Sequence, residues 1–163
     1  MVITKKSIIL GIDPGLADTG FGVIVKTGAK FQVLDYGSIK TKAKVPDQDR
    51  LQTIHQSLAA LIKKYRPEYI AVEKLFFAKN VKTALAVGQA RGVVILCAGA
   101  NCLKLEEYTP LQVKMAITGY GKADKNQVQQ MVKVVLGLKD IPRPDDAADA
   151  LAIAVCCANS IGA

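Results

Sequence analysis

Histidine, paired cysteines and acidic residues are what this sequence is short of. Among 163 residues there is one histidine, His55, and there are four cysteines, Cys97, Cys102, Cys156 and Cys157. No two cysteines form a C-x-x-C pair, and adjacent Cys156 and Cys157 read as small apolar filler in a helix. A Cys/His zinc site and a disulfide framework are thereby excluded, and reduced thiols are expected. His55 borders the apolar stripe of a helix far in sequence from the acids discussed below, and a structural role is expected for it. No N-terminal stretch reads as a secretory signal, because the first apolar run already contains Asp13. No membrane span is expected either. The apolar stretch Ala84–Ala100 is broken by Gln89 and Arg91, and Ala147–Ala158 by Asp149. Internal repeats, linkers and low-complexity segments are missing as well. The expectation is a single cytoplasmic domain spanning residues 1–163, with no membrane partner.

Negative charge is the scarcest resource. Lys and Arg number 22 against 14 Asp and Glu, giving a net charge of +8 and a pI near 9.4. That balance favours a polyanionic partner, nucleic acid first and an anionic membrane second. Against this background, several acids sit at the ends of apolar segments. Asp13 closes Ile-Ile-Leu-Gly-Ile-Asp, Glu73 closes Tyr-Ile-Ala-Val-Glu, and Asp145, Asp146 and Asp149 open the run toward Val155.

The hydrophobic pattern yields an order of elements. Ser7–Ile12 reads as a buried strand stopped by Pro14-Gly15. Phe21–Lys26 and Phe31–Lys40 read as two further strands joined by a turn at Thr27-Gly28-Ala29. Asp47 is the expected N-cap of a helix carrying Leu51, Ile54, Leu58, Leu61, Ile62 and Tyr65 on one stripe, ended by Pro67. Tyr69–Val72 is a short buried strand. Asn80 to Ala100 reads as a mostly buried helix in which Ala84, Gly88 and Gly92 share a face for close helix approach, in the core or in a dimer. Leu103–Tyr108 is a strand, Thr109-Pro110 caps a helix, Gly119 to Lys122 is a loop, and Asp124–Leu136 and Asp145–Asn159 are helices. A three-strand antiparallel meander followed by alternating helices and strands predicts an α/β mixed sheet, with parallel strands added and helices on both faces.

In such a sheet reactive groups gather at strand ends. If the strands ending in Asp13 and Glu73 are parallel neighbours, their carboxylates meet. Asp146 and Asp149 share a helix face, as do Asp145 and Asp149, so spacing does not choose between Asp145 and Asp146. Taken singly, Asp13 suits a turn, Glu73 a solvated strand end and Asp146 a helix N-terminus; Asp149 interrupts an apolar run and is harder to explain that way. Clustered carboxylates repel and take up protons unless cations offset them. With oxygen donors and no His/Cys cluster, Mg²⁺ is the expected ion. Two such ions about 4 Å apart suit phosphodiester hydrolysis.

Taken in order, Ile-Leu-Gly-Ile-Asp-Pro-Gly, Ala-Val-Glu-Lys-Leu-Phe-Phe-Ala-Lys-Asn, Gly-Gln-Ala-Arg-Gly-Val, Thr-Pro-Leu-Gln-Val-Lys, Gly-Tyr-Gly-Lys-Ala-Asp-Lys-Asn-Gln-Val and Asp-Ala-Ala-Asp-Ala-Leu-Ala resemble the RuvC family of Holliday-junction resolvases over nearly the whole chain. The first motif alone is shared by other ribonuclease H-like proteins; the set in register is specific. The resemblance implies a ribonuclease H-like fold and a homodimer. It also implies Mg²⁺-dependent cleavage of four-way DNA junctions by paired symmetric nicks in recombination and repair, with two Mg²⁺ per subunit and Mn²⁺ as an alternative ion. It implies RuvA and RuvB as branch-migration partners. The family's four acids fall on Asp13, Glu73, Asp146 and Asp149 as catalytic metal ligands, which leaves Asp145 a bystander. Lys114 and Lys125 match its basic residues beside the reacting phosphate. Phe76 matches an aromatic that resembles a base-stacking wedge, with Phe77 as the loop's anchor. Lys122, in the glycine loop, and Lys79 are further expected DNA contacts, and Lys74, Lys82 and Arg91 are candidates for phosphate contact on the same side.

Other readings compete. Gly-Ile-Asp-Pro-Gly with Gly20 and Gly22 also resembles the phosphate loop of actin-like ATPases, although that fold needs two such lobes. A non-cleaving nucleic-acid-binding module would not need the acids. Within the nuclease class, another ribonuclease H-like nuclease, acting on RNA or other branched DNA, is the alternative reading.

Overall fold

The computed structural model describes residues 5–75 and 80–161. Phe76, Phe77 and Lys79 lie outside the described residues. Five strands, β1 (Lys6–Asp13), β2 (Asp18–Thr27), β3 (Lys30–Lys40), β4 (Tyr69–Glu73) and β5 (Lys104–Tyr108), form one sheet in the order β3-β2-β1-β4-β5. The pairs β1–β2 and β2–β3 are antiparallel, whereas β1–β4 and β4–β5 are parallel. This is the mixed sheet that the sequence order predicts. The hairpin between β2 and β3 turns at Gly28, whose φ of 59° lies in the left-handed region that glycine enters freely.

Strand alternation sorts side chains onto two cores. Leu10, Ile12, Ile70 and Val72 point to one face, covered by α1 (Asp47–Tyr65) and α2 (Val81–Ala100). Ile9, Tyr69 and Ala71 point to the other, covered by α3 (Pro110–Thr118), α4 (Lys125–Val135) and α5 (Asp145–Ser160). Continuing the period of two, Asp13 follows Ile9 and Gly11, and Glu73 follows Tyr69 and Ala71. Both acids therefore extend from the face on which α5 lies.

α5 is the central helix, with every residue from Ala150 to Ala158 buried. It approaches β1 and β2 closely because glycines line its path. A Cβ at Gly11 would sit 2.1 Å from the Ala150 carbonyl oxygen, and one at Gly20 would sit 2.0 Å from that of Asp146. Gly20 and Gly22 thus clear space for a helix and do not form the phosphate loop that the actin-like reading suggests. Lys26 of β2 secures the other end of α5, its Nζ donating to the carbonyls of Ala158 (2.5 Å) and Ile161 (2.8 Å). Because the obstruction is backbone, Gly20→Ala must push the first turn of α5 outward. The expected result is a loss of about 1–3 kcal/mol of stability, with a loss of cleavage of about a hundredfold from misplacing the acids. Thermal denaturation and a single-turnover assay would check both; wild-type cleavage would show that the close approach is not needed.

Three expectations need correction. Asp47 is not the N-cap of α1: Pro46 holds that position without a side-chain bond, and Asp47 lies in the first turn, where the helix dipole still favours it. The helix ends at Arg66, in the left-handed conformation, one residue ahead of Pro67. α2 is not mostly buried. It is long and apolar enough to cross a membrane by length and composition, but it packs on α1 and the sheet through Ala90, Val94, Cys97 and Ala98. Val81, Leu85 and Leu96 stay exposed at 70%, 65% and 62%. Among the described residues a Cβ at Gly92 would meet nothing within 4 Å, so this end of the small-residue face does not pack in the core. His55 is exposed on α1, which gives it no part in the core.

Candidate active site

The turn that follows β1 is braced before any acid is considered. Thr19 Oγ1 donates to the Gly15 carbonyl (2.6 Å), and Thr41 Oγ1 donates to that of Leu16 (2.5 Å). Arg50, buried at the start of α1, donates in turn to Thr41 Oγ1 (2.8 Å). Asp13 is thus held at the end of a strand whose exit is fixed.

Carboxylate oxygens of Asp13, Asp146 and Asp149 lie within 4.8 Å of one another, and all three residues are half-buried. Glu73 stands outside that tight group, but borders two clefts at its edge. One, of about 210 Å³, is lined by Glu73, Asp149, Lys114, Lys125, Pro110 and Val113 among others. The second, of about 230 Å³, runs past Asp13, Glu73, Lys74 and Arg91. The strand pairing explains the meeting of Asp13 and Glu73: Ile12 is in register with Val72 in the parallel β1–β4 pair.

The charges are poorly compensated. Burial first, then the negative charges of Asp149, Asp146 and Glu73 and a hydrogen bond with Asp146, push the Asp13 carboxyl up from its ordinary 3.8 to about 8. Glu73 is raised by burial and by Asp149, against the opposing pull of Lys114. Asp149 is raised chiefly by burial, although Lys125 pulls the other way. Asp13 thus holds a proton near neutral pH unless a cation replaces it. The donors are all oxygens, with cysteine and the lone histidine elsewhere, so they fit a hard divalent cation such as Mg²⁺. Asp13, Asp146, Asp149 and Glu73 would hold it.

The two lysines reach the same cleft from different helices. Lys114 is half-buried on α3, which begins with the expected Thr109 cap and Pro110. Lys125 opens α4 behind an Asp124 capping box. Its Nζ lies 3.4 Å from Asp149 Oδ2 and 3.5 Å from Asp145 Oδ2. Asp145 also pairs with Arg143. It is therefore no bystander to Lys125, although it is not one of the carboxylates gathered with Asp13, a distinction that helix spacing alone did not make. Lys122 is exposed on the loop and does not line the cleft. Lys82 lines a separate groove beside Asp18 and Arg50. Arg91 is not a free phosphate contact. Its guanidinium donates to the Glu73 backbone carbonyl (3.1 Å) and to the Glu107 carboxylate. Glu107 is a residue that sequence reasoning missed; its place on the opposite face of β5 from Glu106 was the available signal.

Comparison with known proteins agrees with this construction. The family model described as crossover junction endodeoxyribonuclease RuvC matches residues 9–157. The RuvC of Halothermothrix orenii is 58% identical over 153 residues, covering 94% of this chain and 93% of its own. The Thermus thermophilus RuvC solved in complex with a Holliday junction substrate superposes with a TM-score of 0.87 at 40% identity, over 92% of each chain. A yeast mitochondrial Holliday junction resolvase shares the fold at a TM-score of 0.69 and 16% identity, over 96% of this chain and 79% of its own. The sheet order and the helices on its two faces are thus those of a ribonuclease H-like fold, and the chain belongs to the RuvC family of crossover junction endodeoxyribonucleases.

Proposed function

We propose that this protein resolves four-way DNA junctions by paired symmetric nicks, as a homodimer of single-domain subunits. Asp13, Glu73, Asp146 and Asp149 act as the catalytic carboxylates and metal ligands. The observation that carries the reading is the convergence of three carboxylates within 4.8 Å, with Glu73 beside them, in a protein of net charge +8. Two Mg²⁺, or Mn²⁺ in their place, would supply Lewis acidity toward the phosphodiester and lower the pKa of a coordinated water. Asp13 and Glu73 are held by parallel strands, and Asp146 and Asp149 by one turn of α5. Their spacing is therefore fixed before DNA arrives, and little reorganisation is left for the reaction. Lys114 and Lys125 bring positive charge to the rim of the cleft, where a scissile phosphate would lie.

The exposed apolar residues of α2 support the dimer. Val81, Leu85 and Leu96 are exposed on the same helix as Gly92, whose surface meets nothing within 4 Å among the described residues. Gly92→Leu leaves the monomer fold room for the new side chain and is expected to convert the dimer to monomers in sedimentation; an unchanged mass would remove this face from the interface. Lys122, Lys79 and Phe76 are proposed as DNA contacts, and RuvA and RuvB as partners, on the family resemblance. A cytoplasmic location follows from the same reading.

Cleavage of a synthetic four-way junction beside duplex, single-stranded and RNA–DNA substrates, with and without Mg²⁺, tests the whole reading. Paired nicks on the junction alone are expected. Equal cutting of the RNA–DNA hybrid would favour another ribonuclease H-like activity.

A further inference from the structure

Arg91 reaches the end of β4 from beneath the sheet. It belongs to α2, which packs on the face opposite α5, and its side chain is only 13% exposed. One guanidinium nitrogen donates to the backbone carbonyl of Glu73, the last residue of β4, at 3.1 Å. The other donates to the carboxylate of Glu107 on β5. The same peptide is held on its other side, since the Lys74 N–H donates to the Tyr108 carbonyl at 2.7 Å. Beyond this point β4 has no more paired residues, so the direction of the Glu73 side chain depends on how its own peptide is held.

We propose that Arg91, anchored by Glu107, is a positioning residue for Glu73: it clamps the last peptide of β4 and so aims the Glu73 carboxylate into the cleft. The proposal rests on Glu73 acting in cleavage. A guanidinium suits the task because its rigid fork serves two acceptors at once, whereas an ammonium is a point charge on a flexible stem. The clamp also ties α2 to the active site, since the same helix carries the uncovered apolar face.

The test uses Arg91→Met, Arg91→Lys and Glu107→Gln in the full chain. Single-turnover cleavage of a four-way junction is expected to fall about 10- to 100-fold in Arg91→Met. Junction affinity should stay within about twofold of wild type, with the salt dependence of binding unchanged. Arg91→Lys should recover part of the rate, and Glu107→Gln should slow cleavage in the same direction as Arg91→Met. A phosphate contact behaves otherwise. Arg91→Met would then weaken binding and flatten its log–log salt slope by about 0.9, while Glu107→Gln would bind as well or better; that pattern overturns the proposal. Amide hydrogen exchange at Lys74 reads the clamp without reference to catalysis. Faster exchange in Arg91→Met and Glu107→Gln supports it, and unchanged exchange overturns it. If Arg91→Met does not fold, Glu107→Gln decides alone, and wild-type exchange and cleavage in that variant overturn the clamp. Glu73→Gln in parallel separates the two layers: wild-type cleavage there would refute the role of Glu73 while leaving the exchange result to judge the clamp.

Discussion

Asp146→Asn is expected to abolish junction cleavage, by at least about a thousandfold, while junction binding persists or tightens. The amide has nearly the shape of the carboxylate, so the α5–β2 contact at Gly20, which involves the Asp146 backbone, is untouched. What disappears is one negative oxygen from the group that Asp13, Asp146 and Asp149 form together. Removing it weakens cation binding and also removes a charge that repels the phosphate backbone, which is why affinity for DNA does not fall. The neighbouring Asp145→Asn is the informative control. Asp145 faces Lys125 and Arg143, and Asp149 also holds Lys125. Its loss should cost no more than about tenfold in rate, since one carboxylate still orients that lysine. Gel-shift binding in EDTA and single-turnover cleavage in Mg²⁺ separate the two variants. Cleavage by Asp146→Asn within tenfold of wild type would remove Asp146 from the site, and a larger loss from Asp145→Asn would exchange their roles.

How much of this was legible before the fold was known differs from residue to residue. The strands were legible because their apolar runs are short and bounded by turn residues, and the cap at Thr109 because cap chemistry is local. The pairing of Asp13 with Glu73 needed only the assumption that two strands are parallel neighbours, which β1 and β4 are. The roles of Gly11, Gly20 and Gly22 were hidden. A glycine in a strand signals close approach, but which element approaches is decided by the path of α5, more than a hundred residues later. Asp145 and Asp146 were tied because periodicity gives angles about one helix axis and not the side on which the sheet lies. From sequence Arg91 is only a candidate phosphate contact, because a basic residue in a basic protein carries no mark of its partner; only the meeting of α2 with β4 and β5 reveals Glu107. The burial of α2 was overestimated for a related reason. Apolar composition measures what a helix is able to bury, and α2 leaves Val81, Leu85 and Leu96 exposed among the described residues.

The carboxylate cluster makes a second large effect testable, because it links proton, cation and fold. In the metal-free protein Asp13 titrates at about 8 instead of 3.8. Between those two pH values the folded chain holds a proton on Asp13 that the unfolded chain has lost. The unfolded state then binds fewer protons, so stability must fall as pH rises through this window. Burial and neighbouring charge push Glu73 and Asp149 the same way, which adds to the trend. A divalent cation competes with these protons, so its affinity should rise as pH rises and level off above about 8. At subsaturating Mg²⁺ the cleavage rate is therefore expected to climb close to tenfold per pH unit between about 6 and 8, one proton being displaced per step. In EDTA the melting temperature should drop over the same range, and Mg²⁺ should restore more of it at pH 8 than at pH 6. Asp13→Asn removes the titrating group itself. It is expected to be inactive, yet more stable than wild type in EDTA at pH 8, by about 2–4 °C for each kcal/mol of relieved repulsion. Differential scanning calorimetry of the two proteins at both pH values, with and without Mg²⁺, measures every part of this. A Mg²⁺-induced shift as large at pH 6 as at pH 8 would mean that no proton leaves when the cation binds, and that Asp13 is already ionised in a site whose charge is met by other means.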